Sequence, residues 1–284
     1  MRAGLERAVA AAAGDRPVRF AALGGGCIGD VYRVDLAGGG AVVAKVGDGD
    51  AGLDLEGYML DYLATHSRLP VPRVLHAEAG LLVMTHIEAG GGLDTAAQED
   101  AADLLADLHG ITADRYGLAR DTLIGGLPQP NPWTADWRDF FRDHRLLYMA
   151  GLARDAGRLP GRVYDRVARL AARLERWIAD PGPPSLLHGD MWTGNVLCRR
   201  GRIAGFVDPA VYYGDAEVEL AFSTLFGTFG DPFFRRYAAL RPLAPGFFEE
   251  RRDLYNLYPL LVHVRLFGGS YLGSVERTLS RFGC

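Results

Sequence analysis

Leu187-His188-Gly189-Asp190-Met191-Trp192-Thr193-Gly194-Asn195-Val196-Leu197 carries the pattern H-G-D-x-x-x-x-N, and thirteen residues beyond Asn195 stands Asp208, within Phe206-Val207-Asp208-Pro209. The order asks for a strand, then a loop that sets Asp190 and Asn195 on opposite sides of a turn. A hairpin over 196–207 then returns Asp208 beside them. Phosphoryl transfer to a hydroxyl needs such a set. One carboxylate accepts or orients the hydroxyl proton, while a side-chain amide and a second carboxylate hold Mg²⁺, which prefers hard oxygen ligands. Taken singly, the three residues are a capping Asp, a turn Asn and another turn Asp. In this order and spacing they read as a catalytic loop, with Asp190 as the catalytic residue and Asn195 and Asp208 as metal ligands.

Upstream, Gly24-Gly25-Gly26-Cys27-Ile28-Gly29 lies between two strand-like runs, Val18–Leu23 and Val31–Leu36. Dinucleotide and Walker-A loops are excluded, because their glycines open a helix. A glycine hairpin can still close over ATP, since missing side chains let backbone N–H groups approach phosphate oxygens. Gly24, Gly25, Gly26, Cys27 and Ile28 are the candidates for that contact. The next strand-like run, Ala41–Val46, contains Ala44-Lys45-Val46, similar to a V-A-I-K strand. Lys45 is then a cation for the α- and β-phosphates, and Glu56 on the following helix holds it straight. Otherwise Lys45 is a strand lysine that snorkels to water. Glycine loop, strand lysine and helix glutamate in sequence favour the first reading. Leu81–Ile87 reads either as a plain core strand or as the lead into a connection where adenine would meet main chain, with Met84 toward the base and His86 offering backbone groups. Cys27 is preferred as a small apolar residue. Its alternative is a redox switch that forms a mixed or intersubunit disulfide.

The same reading extends to the whole chain. The glycine triplet 38–40 marks a hairpin, leucines 53, 60 and 63 mark a helix over 53–65, and 74–77 and 81–86 are two further strands joined at Gly80. Residues 88–92 (EAGGG) read as a linker. Beyond it the pattern turns helical over 95–109, 137–156, 163–179 and from Pro232 onward, with short strands and glycine-rich loops between 186 and 229. The expected fold is therefore α+β and bilobal: a small antiparallel-β lobe with one helix over 1–88, which binds nucleotide, and a larger, mostly helical lobe over 89–284, which carries catalysis and acceptor.

Composition sets the outer bounds. Of 284 residues, 31 are Lys or Arg and 35 are Asp or Glu, a formal net charge of −4. Nucleic acid is thus not expected as a partner, because phosphate backbones need a basic footprint. No run of 18 apolar residues exists, so no membrane span is expected. The first fourteen residues read as an exposed amphipathic helix, not a leader, because Glu6 and Arg7 interrupt them. Three widely spaced cysteines suggest no disulfide framework and no zinc site, and they suit the cytoplasm.

At this point the residues resemble a family. The 188–195 segment is similar to the HGDLWSGN of fructosamine kinases (ketosamine 3-kinases), departing at Met191 and Thr193. Phe206–Leu220 (FVDPAVYYGDAEVEL) is similar to that family's DPAxYYGDREVDL. Pro128-Gln129-Pro130-Asn131 with Trp133, Trp137, Phe140 and Phe141, and the stretches 255–261 and 267–271, resemble its other signatures. The resemblance covers most of the chain and implies the protein-kinase-like fold shared with aminoglycoside and choline kinases. It implies ATP-dependent phosphorylation, with Mg²⁺, of the 3-hydroxyl of a ketosamine, free or protein-bound, and hence deglycation. It also implies that Trp192 either stacks on the sugar or packs under its loop. Asp215 either binds the substrate amine or, preferably, caps the next helix. Two rivals stay in view: a kinase for another hydroxyl acceptor such as an aminoglycoside, choline or homoserine, and a catalytically silent binding module. The quaternary expectation is a monomer or a redox-linked homodimer.

Overall fold

The computed structural model describes residues 2–24 and 29–284. The chain begins with helix α1 (Arg2–Ala13), followed by β1 (Pro17–Ala22), β2 (Asp30–Leu36) and β3 (Ala41–Val46). Helix α2 (Leu53–His66), β4 (Val74–Glu78) and β5 (Leu81–Thr85) complete this part. The five strands pair antiparallel in the order β1-β2-β3-β5-β4. Side chains alternate between faces along each strand, so the β3–β5 register decides what points where. Val43 sits opposite Met84 and Lys45 opposite Leu82, on the face that packs against Leu53 and Leu60 of α2. Val42, Ala44 and Val83 point to the other face, where fully buried Val9 of α1 covers them, with Leu5, Ala8 and Ala12 beside it. The N-terminal helix is therefore amphipathic, with Arg7 and Ala11 exposed and its other face on the sheet, because an apolar outer sheet face has to be covered. Gly57 marks how closely α2 lies on the sheet, since a Cβ there would come within 2.6 Å of the Ala77 Cβ.

From β5 the chain runs through 86–94, where the Gly90 N–H donates to the Cys198 carbonyl at 2.8 Å. Helix α3 (Thr95–His109) starts at Asp94, whose side chain accepts from the Ala97 N–H, as an N-cap carboxylate does. Its buried face carries Ala97, Ala101, Ala102, Leu105 and Leu108. A short hairpin, β6 (Thr122–Ile124) and β7 (Leu127–Gln129), precedes α4 (Trp137–Phe141). The single helix expected over 137–156 is instead α4, a π-helical stretch Arg142–Leu147, and α5 (Tyr148–Asp155). Helix α6 (Gly161–Ala171) ends earlier than its apolar pattern suggested, because the backbone leaves helical geometry at Arg173.

Next come β8 (Ser185–Leu187), the hairpin β9 (Val196–Arg199) and β10 (Arg202–Phe206), and β11 (Tyr212–Gly214), which pairs with β8. Helix α7 (Ala216–Leu225), the helix that Asp215 was expected to cap, lies within the stretch otherwise read as short strands and glycine-rich loops. Residues 218–223 are all buried, so no amphipathic period marks it. Helices α8 (Asp231–Leu240), α9 (Arg252–Tyr255), α10 (Leu257–Phe267) and α11 (Leu272–Arg281) close the fold. The largest core surrounds fully buried Trp137, Phe140, Phe141 and Tyr255. No helix among the described residues is long and apolar enough to cross a membrane.

Candidate active site

The catalytic-loop sequence follows β8 directly, and its backbone is fixed from below. His188 is fully buried. Its Nε2 donates to the Val207 carbonyl at 3.0 Å and its Nδ1 accepts from the Asp190 N–H at 3.3 Å. Burial lowers its pKa, so the ring is a neutral brace between the loop and the end of β10. Gly189 has φ +87°, and a Cβ there would fall 2.0 Å from the Ala210 carbonyl oxygen. Only glycine fits at this point.

Asp190 faces Asn195 across the turn. The Asn195 Nδ2 donates to the Asp190 carbonyl at 2.8 Å and to its Oδ2 at 3.0 Å. Burial pushes the Asp190 carboxyl up to about 7, against the Asn195 hydrogen bond and with help from the charges of Asp208 and Glu219. The β9–β10 hairpin returns the chain so that the Val207 N–H donates to the Asn195 carbonyl at 3.0 Å. Asp208 follows with φ +54°, a left-handed conformation rare outside glycine. Such a residue is held there by its surroundings.

Lys45 reaches this carboxylate from the other half of the chain. Its Nζ donates to Glu56 Oε1 at 2.6 Å and to Asp208 Oδ1. Burial alone would lower the lysine pKa, but the charges of Glu56 and then Asp208 outweigh it, and the net direction is upward. Lys45 and Asp208 are 163 positions apart, so their contact ties the β-sheet to the catalytic hairpin.

The remaining sequence candidates fall in different places. Gly24 is an exposed bend after β1, while Gly25, Gly26, Cys27 and Ile28 lie outside the described residues. Met84 is buried opposite Val43, on the same sheet face as Lys45. His86 lies just past β5, half-buried, and burial followed by the nearby Arg33 charge lowers its pKa. The Trp192 ring lies against Gly194, where a Cβ would come within 2.3 Å of the indole. Trp192 also lines, with Asp190, a cavity of about 400 Å³. Asp215 caps α7: it accepts from the Glu217 N–H at 2.9 Å, and the Tyr255 hydroxyl donates to it at 3.0 Å. It borders a different cavity, which does not include Asp190.

Two supporting groups were not among the site candidates read from the sequence. Glu219, fully enclosed on α7, accepts from the Gly189 N–H at 2.6 Å and the His188 N–H at 3.4 Å. His109 Nε2 bonds its other side at 2.8 Å, and the Tyr237 hydroxyl bonds His109 Nδ1 at 2.7 Å. Burial would raise the Glu219 pKa, but the bond from His109 and the neighbouring histidines bring it below the ordinary value. The one sequence hint was a lone carboxylate within the apolar run 218–222. The second support explains the Pro-Gln-Pro-Asn stretch. Gln129 Nε2 donates to the Ala210 carbonyl at 3.1 Å, and its Oε1 accepts from the Tyr258 hydroxyl at 2.7 Å. Arg145, fully buried, donates to Asn131 Oδ1 at 2.6 Å and packs over the Tyr212 ring at 4.0 Å.

The family model described as fructosamine kinase matches residues 6–282. The chain belongs to the fructosamine kinase family. This member is 36% identical over 228 residues to a protein of Synechocystis sp. named probable ketoamine kinase, covering 78% of this chain and 75% of that one. It is 33% identical over 268 residues to the chloroplastic protein-ribulosamine 3-kinase of Arabidopsis thaliana, covering 90% and 80%. A solved structure assigned as a fructosamine-3-kinase of Thermobifida fusca superposes with TM-score 0.85 at 32% identity, covering 98% of each chain. An aminoglycoside phosphotransferase, APH(4)-Ia, solved with ADP and hygromycin B, shares the fold at TM-score 0.67 and 18% identity, covering 98% of each chain.

The donor set of this fructosamine kinase relative fits a magnesium nucleotide. Asn195 spends its amide nitrogen on Asp190, which leaves Oδ1 as a hard oxygen. Asp208 already faces a cation, the Lys45 ammonium. Among the described residues no cluster of three or more His, Cys, Asp or Glu side chains could hold a metal. Mg²⁺ needs no such cage where one or two side chains and the nucleotide phosphates share it.

Proposed function

We propose that this chain is an ATP-dependent ketosamine 3-kinase, which phosphorylates the 3-hydroxyl of the adduct between a sugar and an amine. The observation that carries the reading is the junction of Lys45, Glu56 and Asp208, linked through the Asn195 amide to Asp190 on the wall of a cavity. The names of the relatives, ketoamine kinase and ribulosamine 3-kinase, supply the acceptor class. Residues 1–88 serve as the nucleotide lobe and 89–284 as the catalytic lobe, in the cytoplasm.

The protein's work is positioning and charge neutralisation. Asp190 Oδ2 is engaged by Asn195, which leaves Oδ1 to take the hydrogen of the acceptor hydroxyl. Its raised pKa brings it near the range where a general base works best at neutral pH. Lys45, steadied by Glu56, meets the α- and β-phosphates, and Met84 and His86 lie on the adenine side with the glycine loop 24–28. Asp208 and Asn195 Oδ1 would hold Mg²⁺, which supplies charge neutralisation at the phosphates. Trp192 borders the acceptor. Asp215 acts through the α7 cap. The 3-phosphate then leaves readily, and the adduct decomposes to free the amine.

The test is ATP-dependent turnover of ketosamines that differ in sugar, with the phosphorylated position read by NMR. A 3-phosphate supports the reading. Turnover of aminoglycosides, choline or homoserine but of no ketosamine overturns it.

A further inference from the structure

The cavity beside Asp190 has two unlike sides. At one lie the Asp190 carboxylate and Thr193. At the other, Phe226, His263, Phe267 and Tyr271 gather from the end of α7, from α10 and from the turn before α11. The His263 ring centroid is 4.9 Å from that of Phe226, 5.6 Å from Phe267 and 4.8 Å from Tyr271. Phe226 and Phe267 are 37% and 54% exposed, so apolar rings stand open at the mouth of a site.

His263 is set up as an acceptor. Its Nδ1 lies 2.7 Å from the Pro259 carbonyl, one turn earlier on α10. A carbonyl only accepts, so Nδ1 carries the hydrogen and Nε2 keeps a lone pair. No described protein group bonds to that Nε2. Burial lowers the His263 pKa, against the Pro259 hydrogen bond, which favours the neutral ring. No Lys or Arg lines the cavity among the described residues, and Asp190 is its one carboxylate.

A polyhydroxylated sugar tail is poorly served here, because each buried hydroxyl wants its own partner. An organic cation flanked by methylenes is well served: aromatic faces attract it, and a neutral nitrogen can accept its N–H. A ketosamine has one such group, the secondary ammonium on carbon 1, two carbons from the hydroxyl that Asp190 would take. We propose that this recess is the amine subsite, with His263 Nε2 accepting the ammonium N–H and Phe226, Phe267 and Tyr271 packing around the charge. This rests on the ketosamine reading above. His263 is then a specificity-determining residue, and the sugar tail points away from the aromatic side.

Steady-state kinetics on a ketosamine and on the matched ether, with oxygen in place of the amine nitrogen, test it. The ether keeps the 3-hydroxyl but lacks the charge and the donor. The expected wild-type kcat/KM is roughly 10- to 100-fold higher for the ketosamine, the usual worth of a hydrogen bond to a charged group. His263→Phe keeps an aromatic ring and loses the acceptor. It should raise the ketosamine KM about 10-fold or more, change kcat little, and leave the ether KM where it was. Phe267→Ala, at an exposed rim position, should raise the ketosamine KM about threefold. Should His263→Phe fail to fold, Phe267→Ala and Phe226→Ala carry the same comparison. An unchanged ketosamine KM in the variants, or equal losses for ketosamine and ether, overturns the amine subsite alone. A wild-type enzyme that phosphorylates no ketosamine overturns the function itself, and the subsite with it.

Discussion

Replacing Asp190 by Asn should destroy activity and stabilise the protein. Burial lifts the Asp190 carboxyl from 3.8 to about 7, which corresponds to roughly 4 kcal/mol of unfavourable charge burial in the folded state. Asp190 retains some exposure toward the cavity, and solvent screening brings the measurable share down to about 1–2 kcal/mol. The variant removes that charge and keeps its main contact, since an amide oxygen still accepts from Asn195 Nδ2, 3.0 Å away. The sign follows from proton counting. Between pH 4 and 7 the folded protein holds the Asp190 proton and the unfolded chain does not, so this group's contribution to stability falls as pH rises through that window. Urea denaturation of both proteins from pH 4 to 8 should therefore show an advantage of Asp190→Asn over wild type that is near zero at pH 4, grows through the window and levels off above pH 7. Turnover should drop roughly 10²- to 10⁴-fold, the usual worth of a positioned acid or base. A variant less stable than wild type at pH 8, or an advantage independent of pH, would refute the claim that burial of this carboxylate dominates its energetics.

Three further outcomes are expected. Asp208→Ala should abolish Mg²⁺-dependent nucleotide binding, and unchanged Mg·ATP affinity by calorimetry counts against its role. Lys45→Met leaves the carboxylates of Glu56 and Asp208 facing each other and should cost roughly 3–5 kcal/mol. Adding Glu56→Gln should return most of that stability in urea melts without returning nucleotide binding; no recovery would mean the pair is not the source of the cost. Glu219→Ala removes the acceptor of the Gly189 and His188 N–H groups and should cost about 2–3 kcal/mol, with a lower kcat as the loop loses its support. A fully active, equally stable variant would remove Glu219 from the architecture of the site.

What the sequence displayed were the features whose causes are local. The five strands were legible because glycines punctuate short apolar runs, and Asp215 as a cap because the residue it bonds, Glu217, is two positions away. Lys45, Asp190, Asn195 and Asp208 were legible because their chemistry is legible: a cation, an amide and two carboxylates in a fixed order have few structural reasons to recur together. The features that stayed hidden are assembled across distance. Helix α7 lost its period because every residue from 218 to 223 is buried, and Glu219 acts on a backbone 30 positions earlier in the chain. The aromatic recess draws on residues around 192, 226, 263 and 271, and no spacing rule joins those positions. The chemistry proposed to bind the nucleotide thus sits on short motifs, whereas the surface that would choose the acceptor is built by packing. If the recess is the amine subsite, the ring geometry around His263 is what chooses among hydroxyl substrates. Specificity among relatives with the same loop should accordingly follow changes at the mouth of that cavity, where Phe226 and Phe267 are open to water, more than changes in the buried braces of the loop.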